Sequence, residues 1–141
     1  MTGIDTNIFV YLVGRRDLVK WSRARVLLRD LRVGRADVVL PWQVLGEFVR
    51  YLRTAEDLGQ ISRSAWMRYV RFVRRQFPLV LPTSDVLDRA LELGNRYSLS
   101  HWDSMLLGAC VEAGVDTLYT EDMGAPTLIG GVRLINPFAL V

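Results

Sequence analysis

Four carboxylates in this 141-residue chain fall at positions where they could do chemistry together. Asp5 follows the short apolar stub "MTGI", Glu47 lies in "PWQVLGEF", Asp103 in "SHWDSM", and Asp122 directly after "TLYTE" begins its turn. Taken singly, each has a plain structural explanation. Asp5 is a good helix N-cap, and Ser100-x-x-Asp103 resembles a capping box with Asp in place of Glu. Glu47 reads as a helix-surface charge and Asp122 as a turn residue. Taken together, all four are expected at one edge of a sheet, although up to 117 positions separate them. Gathered like charge is unfavourable unless something neutralises it. Clustered carboxylate oxygens suit Mg²⁺ or Mn²⁺, hard cations that keep several waters and use few protein ligands. Such an ion can activate water and stabilise the charge that develops on a phosphodiester.

The elements that must position these acids are legible as alternating short β-rich runs and helical periodicity. "TGID" reads as a first strand, with a helix from Thr6 to about Val13. "LVKWSRARVLLRDLRVG" places Ala24, Leu27, Leu28 and Leu31 at helical spacing and ends at Gly34. "ADVVLP" reads as a buried strand, and "WQVLGEFVRYLRTAEDLG" as a helix striped by Leu45, Phe48, Val49 and Leu52. A helix from about Ser62 to Gln76 sets Trp66, Val70, Val73 and Phe77 on one side and Arg68, Arg71 and Arg75 on the other. "PLVLP" is a short strand, and "SDVLDRALELGNRY" and "HWDSMLLGACVEAG" are helices, the latter capped by Ser100. "DTLYT" and "VRLIN" supply the last strands. This order predicts an α/β fold: a parallel sheet of four to five strands flanked by helices on both faces. Ligands bind such sheets beyond the carboxyl ends of the strands, near a topological switch point. Asp5 is expected there.

Half the residues are hydrophobic and under a quarter are charged, a globular balance with no second-domain linker or repeat; residues 1–141 are read as one domain. "IFVYLV" is too short to span a bilayer, and no signal peptide or membrane association is expected. Cys110, alone in "MLLGACV", is expected to be a buried, reduced thiol in a cytoplasmic protein. The net charge of +3 conceals an asymmetry. Residues 1–75 carry 15 of the 18 basic side chains against 7 acids, for +8, and the remainder sums to −5. A basic half suits a polyanionic partner, though charges are often no more than a solvated surface. One His and one Cys argue against a zinc site, and no P-loop or dinucleotide fingerprint is present. His101 alone excludes a two-histidine ribonuclease mechanism; it reads as a helix-start or substrate-edge residue. A haloacid dehalogenase-type phosphatase also opens on a strand and an Asp, but its second Asp is replaced here by Asn7, and Lys20 is the only Lys.

The segments "DTNIFVYL", "PWQVLGEF", "LSHWDSMLLGACVEAGVDTLYTEDM" and "LINPF" resemble a PIN domain, and more narrowly the VapC toxins of toxin–antitoxin pairs. The likeness runs from Gly3 to Phe138 and rests on the ordered set. It implies an endoribonuclease dependent on Mg²⁺ or Mn²⁺ that cuts tRNA, rRNA or mRNA, with a VapB-type antitoxin as inhibitor and a homodimer as its usual state. By that resemblance Asp5, Glu47, Asp103 and Asp122 match the acidic quartet, with Asp5 and Asp103 foremost as metal ligands. Thr6, Asn7, Thr120 and Asn136 match its supporting polar positions. Ser104 stands where Ala is common, and a small residue there is expected to leave the site intact. A non-catalytic RNA- or partner-binding module of the same fold is the alternative; loss of a quartet acid would favour it, and all four are present. Arg68, Arg71 and Arg75 are candidates for guiding RNA. Tyr69 and Phe72, off the apolar line of their helix, are candidates for antitoxin contact.

Overall fold

The computed structural model describes residues 1–34 and 37–139; Ala36, the first residue of the expected second strand, lies outside them. The elements run β1 (Thr2–Ile4), α1 (Thr6–Val13), α2 (Leu18–Val33), β2 (Val38–Pro41), α3 (Trp42–Asp57), α4 (Arg63–Gln76), β3 (Leu79–Val80), α5 (Ser84–Tyr97), α6 (His101–Glu112), β4 (Thr117–Tyr119), β5 (Thr127–Ile129) and β6 (Val132–Ile135). Local chemistry sets the helix starts. The side chains of Asp5, Asp17, Ser62 and Ser100 each accept a hydrogen bond from a backbone N–H in the first turn of the helix that follows.

The sheet order is β3-β2-β1-β4-β6-β5, with every neighbouring pair parallel except β5 and β6. From β1 the chain steps to β2 and then β3 in one direction, through α1–α2 and α3–α4. It returns through α5–α6 to β4, on the other side of β1. Right-handed crossovers in opposite directions put these two groups of helices on opposite faces of the sheet. The direction reverses between β1 and β4, so the switch point lies there.

The sheet has one strand more than expected. Thr127–Ile129 pairs antiparallel with β6, in a stretch the sequence reading leaves as loop. Gly130 and Gly131 both hold positive φ, +59° and +83°, which a two-residue hairpin turn requires and non-glycine residues resist. That Gly-Gly pair was the available signal.

The core lies on both sides of the sheet. Phe9, Phe48 and Phe77 meet under α1, α3 and α4, with ring centroids 5.5 and 6.1 Å from Phe9. On the other face α6 is pressed against α5: a Cβ at Gly108 would lie 2.8 Å from the Val86 carbonyl oxygen and 3.0 Å from the Ala90 nitrogen. Cys110 is buried there, as expected, and burial pushes its thiol up to about 12.

Candidate active site

β1 ends one residue before Asp5, whose backbone N–H still donates to the Tyr119 carbonyl of β4 at 2.9 Å. The side chain therefore emerges at the carboxyl edge of the sheet, at the switch point. It is only 5 % exposed. Its Oδ1 accepts from the Thr6 backbone N–H and its Oδ2 from Thr120 Oγ1, each at 2.6 Å. Thr120 follows β4 directly and is fully buried, which fixes this second bond.

Glu47 reaches the same edge from the second turn of α3. Thr6 Oγ1 donates to its Oε2 at 2.7 Å, and Gln43 Nε2 donates to its Oε1 at 2.8 Å. Gln43 precedes Glu47 by four residues, one helical turn, so the two side chains share a face. That spacing was a signal the sequence reading did not use.

Asp122 joins through Asn7, whose Nδ2 donates to Asp122 Oδ2 at 3.2 Å and lies 3.5 Å from both Asp5 Oδ2 and Thr120 Oγ1. The Asp122 backbone N–H donates to Thr120 Oγ1 at 3.0 Å. Asp103 is held from the first turn of α6, where its N–H donates to the Ser100 hydroxyl. Its negative charge is among the groups that raise the pKa of Asp122. Ser104, one residue on, is buried and donates to the Ser100 carbonyl at 2.7 Å. Gly94 of α5 packs against it without a side chain, since a Cβ there would lie 2.6 Å from the Ser104 hydroxyl oxygen.

The electrostatics are those of crowded carboxylates. Burial, chiefly, raises Asp5 to about 6; the Thr120 and Thr6 hydrogen bonds oppose this, and the charges of Asp122 and Glu47 add to it. Asp122 is also raised, by desolvation first and then by Asp103, Glu121 and Glu47, while its bond from Asn7 works the other way. Among the described residues no group of three His, Cys, Asp or Glu side chains is so placed that it could hold a metal ion as the side chains stand. The donors nonetheless fit a hard divalent cation that keeps most of its coordination as water. They are all oxygens, and their mutual repulsion is what a cation would relieve. The buried Asn7 Oδ1 has no partner and could accept from such a water.

A second cluster braces the turn that carries Asp122. Tyr11 Oη donates to Glu121 Oε1 at 2.7 Å, and Lys20 Nζ donates to Glu121 Oε2 at 2.7 Å and to Tyr11 Oη at 2.9 Å. The only lysine of the chain thus ties α2 to the residue before Asp122.

Other candidates lie elsewhere. Asn136 Oδ1 accepts from the Phe138 backbone N–H at 2.9 Å, closing a turn after β6; it makes no bond to the acids. Arg68, Arg71 and Arg75 are exposed on α4. The last turn of α4 lies beside that of α2, where Arg32 Nε donates to Gln76 Oε1. Both helices there hand the chain to the start of a strand, so Arg75 stands at the edge of the sheet opposite the carboxylates. Tyr69 and Phe72 are half-buried and, with Leu12, Ala65 and Arg68, line a hollow of about 480 Å³.

The profile of the PIN domain family matches residues 4–126, which include all four acids. No curated protein matches the sequence. Among solved structures, the chain resembles one from a toxin–antitoxin complex of Klebsiella pneumoniae, with TM-score 0.67, 19 % identity, and 99 % of this chain and 100 % of that one covered. It also resembles Mycobacterium tuberculosis VapC20, described as a sarcin-ricin loop cleaving toxin, with TM-score 0.67, 18 % identity, and coverage of 94 % and 99 %. A third likeness is to VapBC2 from Rickettsia felis bound to a DNA fragment of its promoter, with TM-score 0.62, 12 % identity, and coverage of 94 % and 96 %. At these identities the likenesses speak for the fold.

Proposed function

The chain belongs to the PIN domain family, and from that premise we propose that it is a metal-dependent endoribonuclease, the toxin of a toxin–antitoxin pair. The observation that carries this reading is the hydrogen-bonded acidic cluster at the switch point, in which two carboxylates have raised pKa values. Acids held together against their own repulsion are a poor structural device and a good cation site. One Mg²⁺ or Mn²⁺ there would supply Lewis-acid stabilisation of a phosphodiester and a nucleophilic water.

The chain's own residues do the rest. Asp5 and Asp103 would hold the ion directly, with Asp122 and Glu47 completing the acidic set. Thr120 and the Thr6 backbone N–H donate to both oxygens of Asp5 and favour its ionised form against the burial that raises its pKa. Thr6 and Gln43 fix both oxygens of Glu47, so its carboxylate cannot swing away. Asn7 presents its amide N–H groups to Asp122 and Asp5 and spaces the two charges. Asn136 acts by shaping the turn after β6. Arg68, Arg71 and Arg75 act at long range, as part of a basic field that draws RNA in.

Purified protein is expected to cut RNA in Mg²⁺ or Mn²⁺ and to stop in EDTA; undiminished cutting in chelator would remove the metal from the mechanism. Structural neighbours that come from toxin–antitoxin complexes support a protein antitoxin of the VapB type as inhibitor; a homodimer as the working unit is proposed on the family resemblance alone. The hollow beside Tyr69 and Phe72 is the place we assign to an apolar antitoxin segment. A folded, RNA-cutting Tyr69→Ala/Phe72→Ala protein should bind antitoxin at least about tenfold more weakly; unchanged affinity would move the contact elsewhere.

A further inference from the structure

Asp122 stands past the end of β4, in a stretch that turns sharply: Met123 and Gly124 both hold positive φ, +56° and +72°. The last sheet bond before it is made by Thr120, whose backbone N–H donates to the Ile135 carbonyl at 2.9 Å. Asp5, Glu47 and Asp103 are fixed by a helix cap or by a helix itself, whereas Asp122 must be gripped from the side. α1 supplies two grips on one face. Asn7 donates to Asp122, and Tyr11, one turn further on, donates its hydroxyl to Glu121 Oε1 at 2.7 Å. Lys20 Nζ of α2 closes on the other Glu121 oxygen, also at 2.7 Å. The segment after β6 backs both donors. Its Phe138 ring meets the Tyr11 ring edge to face, with centroids 4.9 Å apart, and lies 5.5 Å from Lys20 Nζ. Two helices and this segment thus converge on Glu121, the neighbour of Asp122 in the chain.

We infer that Tyr11 and Lys20 are positioning residues of the metal site, which fix Asp122 through Glu121 and thereby set how tightly the site holds its ion. The inference rests on the metal reading of the acidic cluster and deepens it. Groups that orient a ligand without touching the ion matter nearly as much as the ligand itself. The sign of the charges separates this role from a bare charge effect. A lysine beside a cation site repels the ion, so as an isolated charge Lys20 would only weaken the site. Its charge is instead engaged by Glu121, with the two side chains 31 % and 23 % exposed, and Nζ stands over the Tyr11 ring at 4.5 Å. Both Glu121 oxygens are taken, Oε1 by Tyr11 and Oε2 by Lys20, so neither is free for the ion. Without the hydroxyl or the ammonium group Glu121 can swing, and the loosened turn carries Asp122 with it.

The test is calorimetric titration of metal-free protein with Mn²⁺, with no RNA present, on wild type, Tyr11→Phe, Lys20→Met and the double variant. Circular dichroism on each sample checks the fold. Tyr11→Phe keeps the ring and changes no charge, yet it should bind Mn²⁺ about tenfold more weakly. Lys20→Met should lose affinity by about the same factor, although removal of a nearby positive charge alone would raise it. The double variant should be little worse than either single one, because both residues act through Glu121. In RNA cleavage the Mn²⁺ concentration for half-maximal rate should rise in step with the binding loss, while the rate at saturating Mn²⁺ stays close to that of wild type. A folded Tyr11→Phe protein that binds Mn²⁺ like wild type would overturn the inference. So would a Lys20→Met protein that binds it more tightly, by showing that Lys20 acts through its charge alone. Wild-type protein that takes up no Mn²⁺ would overturn the metal reading and this inference with it. Variants that lose Mn²⁺ as expected in a protein that cuts no RNA would instead count against the nuclease reading only.

Discussion

Asp5 combines two roles that the sequence presents as alternatives. It caps α1 and it anchors the acidic cluster, because a cap at the end of β1 is by construction at the carboxyl edge of the sheet. The acids were legible because their chemistry is tied to recognisable strand ends and helix starts. Thr6 and Thr120 stand with them as hydrogen-bond donors, whereas Asn136 turns out to bond within its own turn. Gln43 and Lys20 were missed, since nothing in one amide or one lysine says which distant carboxylate it will meet. The raised Asp5 value has a consequence for stability. With a folded-state value of about 6 against an ordinary 3.8, its contribution is fully present below pH 3.8 and is lost as pH rises through 6. Asp5→Asn keeps an acceptor for Thr120 and removes the buried charge. Metal-free Asp5→Asn protein should therefore be more stable than wild type at pH 7, by up to about 3 kcal/mol, and indistinguishable from it near pH 4. Thermal melts at the two pH values check this; a less stable variant at pH 7 would mean that Asp5 is not held against its charge.

The helices were readable from the 3.6-residue period and from Ser62 and Ser100 at two of their starts, and the parallel strands from runs such as "VVLP". The antiparallel β5 was not. Three residues carry no period, and the pairing depends on the turn at Gly130 and Gly131. The α5–α6 contact was equally invisible, because small residues such as Gly108 leave no apolar stripe to read. It is nevertheless what sets Asp103 in place. Gly108→Ala would drive a methyl to within 3.0 Å of the α5 backbone, which cannot yield as a flexible side chain would. The expected cost is about 1–3 kcal/mol in urea denaturation, with a loss of metal affinity because α6 must shift. No change in either would show that the helix pair is looser than it looks. The Tyr11–Lys20–Glu121 brace acts on the Asp122 turn in the same way, through partly exposed groups.

At the scale of the whole molecule the charges are divided. Residues 1–75 sum to +8, and the acids that matter most are gathered at one edge of the sheet. A cluster of carboxylates repels phosphate, so RNA must be drawn in by the basic half and then tolerated at the centre by a cation. Binding should therefore weaken steeply with salt, log affinity falling with log salt by about 0.7 for each phosphate contacted on a single strand; a flat dependence would leave the basic half without a role. Among the described residues no helix is long and apolar enough to cross a membrane. The central claim is that the acids at the switch point hold the metal that cuts RNA. The most direct test is the single-turnover cleavage rate of wild type, Asp5→Asn and Asp103→Asn on one RNA across a Mn²⁺ titration, with circular dichroism on each sample. Both variants should stay folded and cut at least about a hundredfold more slowly at every Mn²⁺ concentration. A folded Asp103→Asn protein that cuts at the wild-type rate would contradict the assignment.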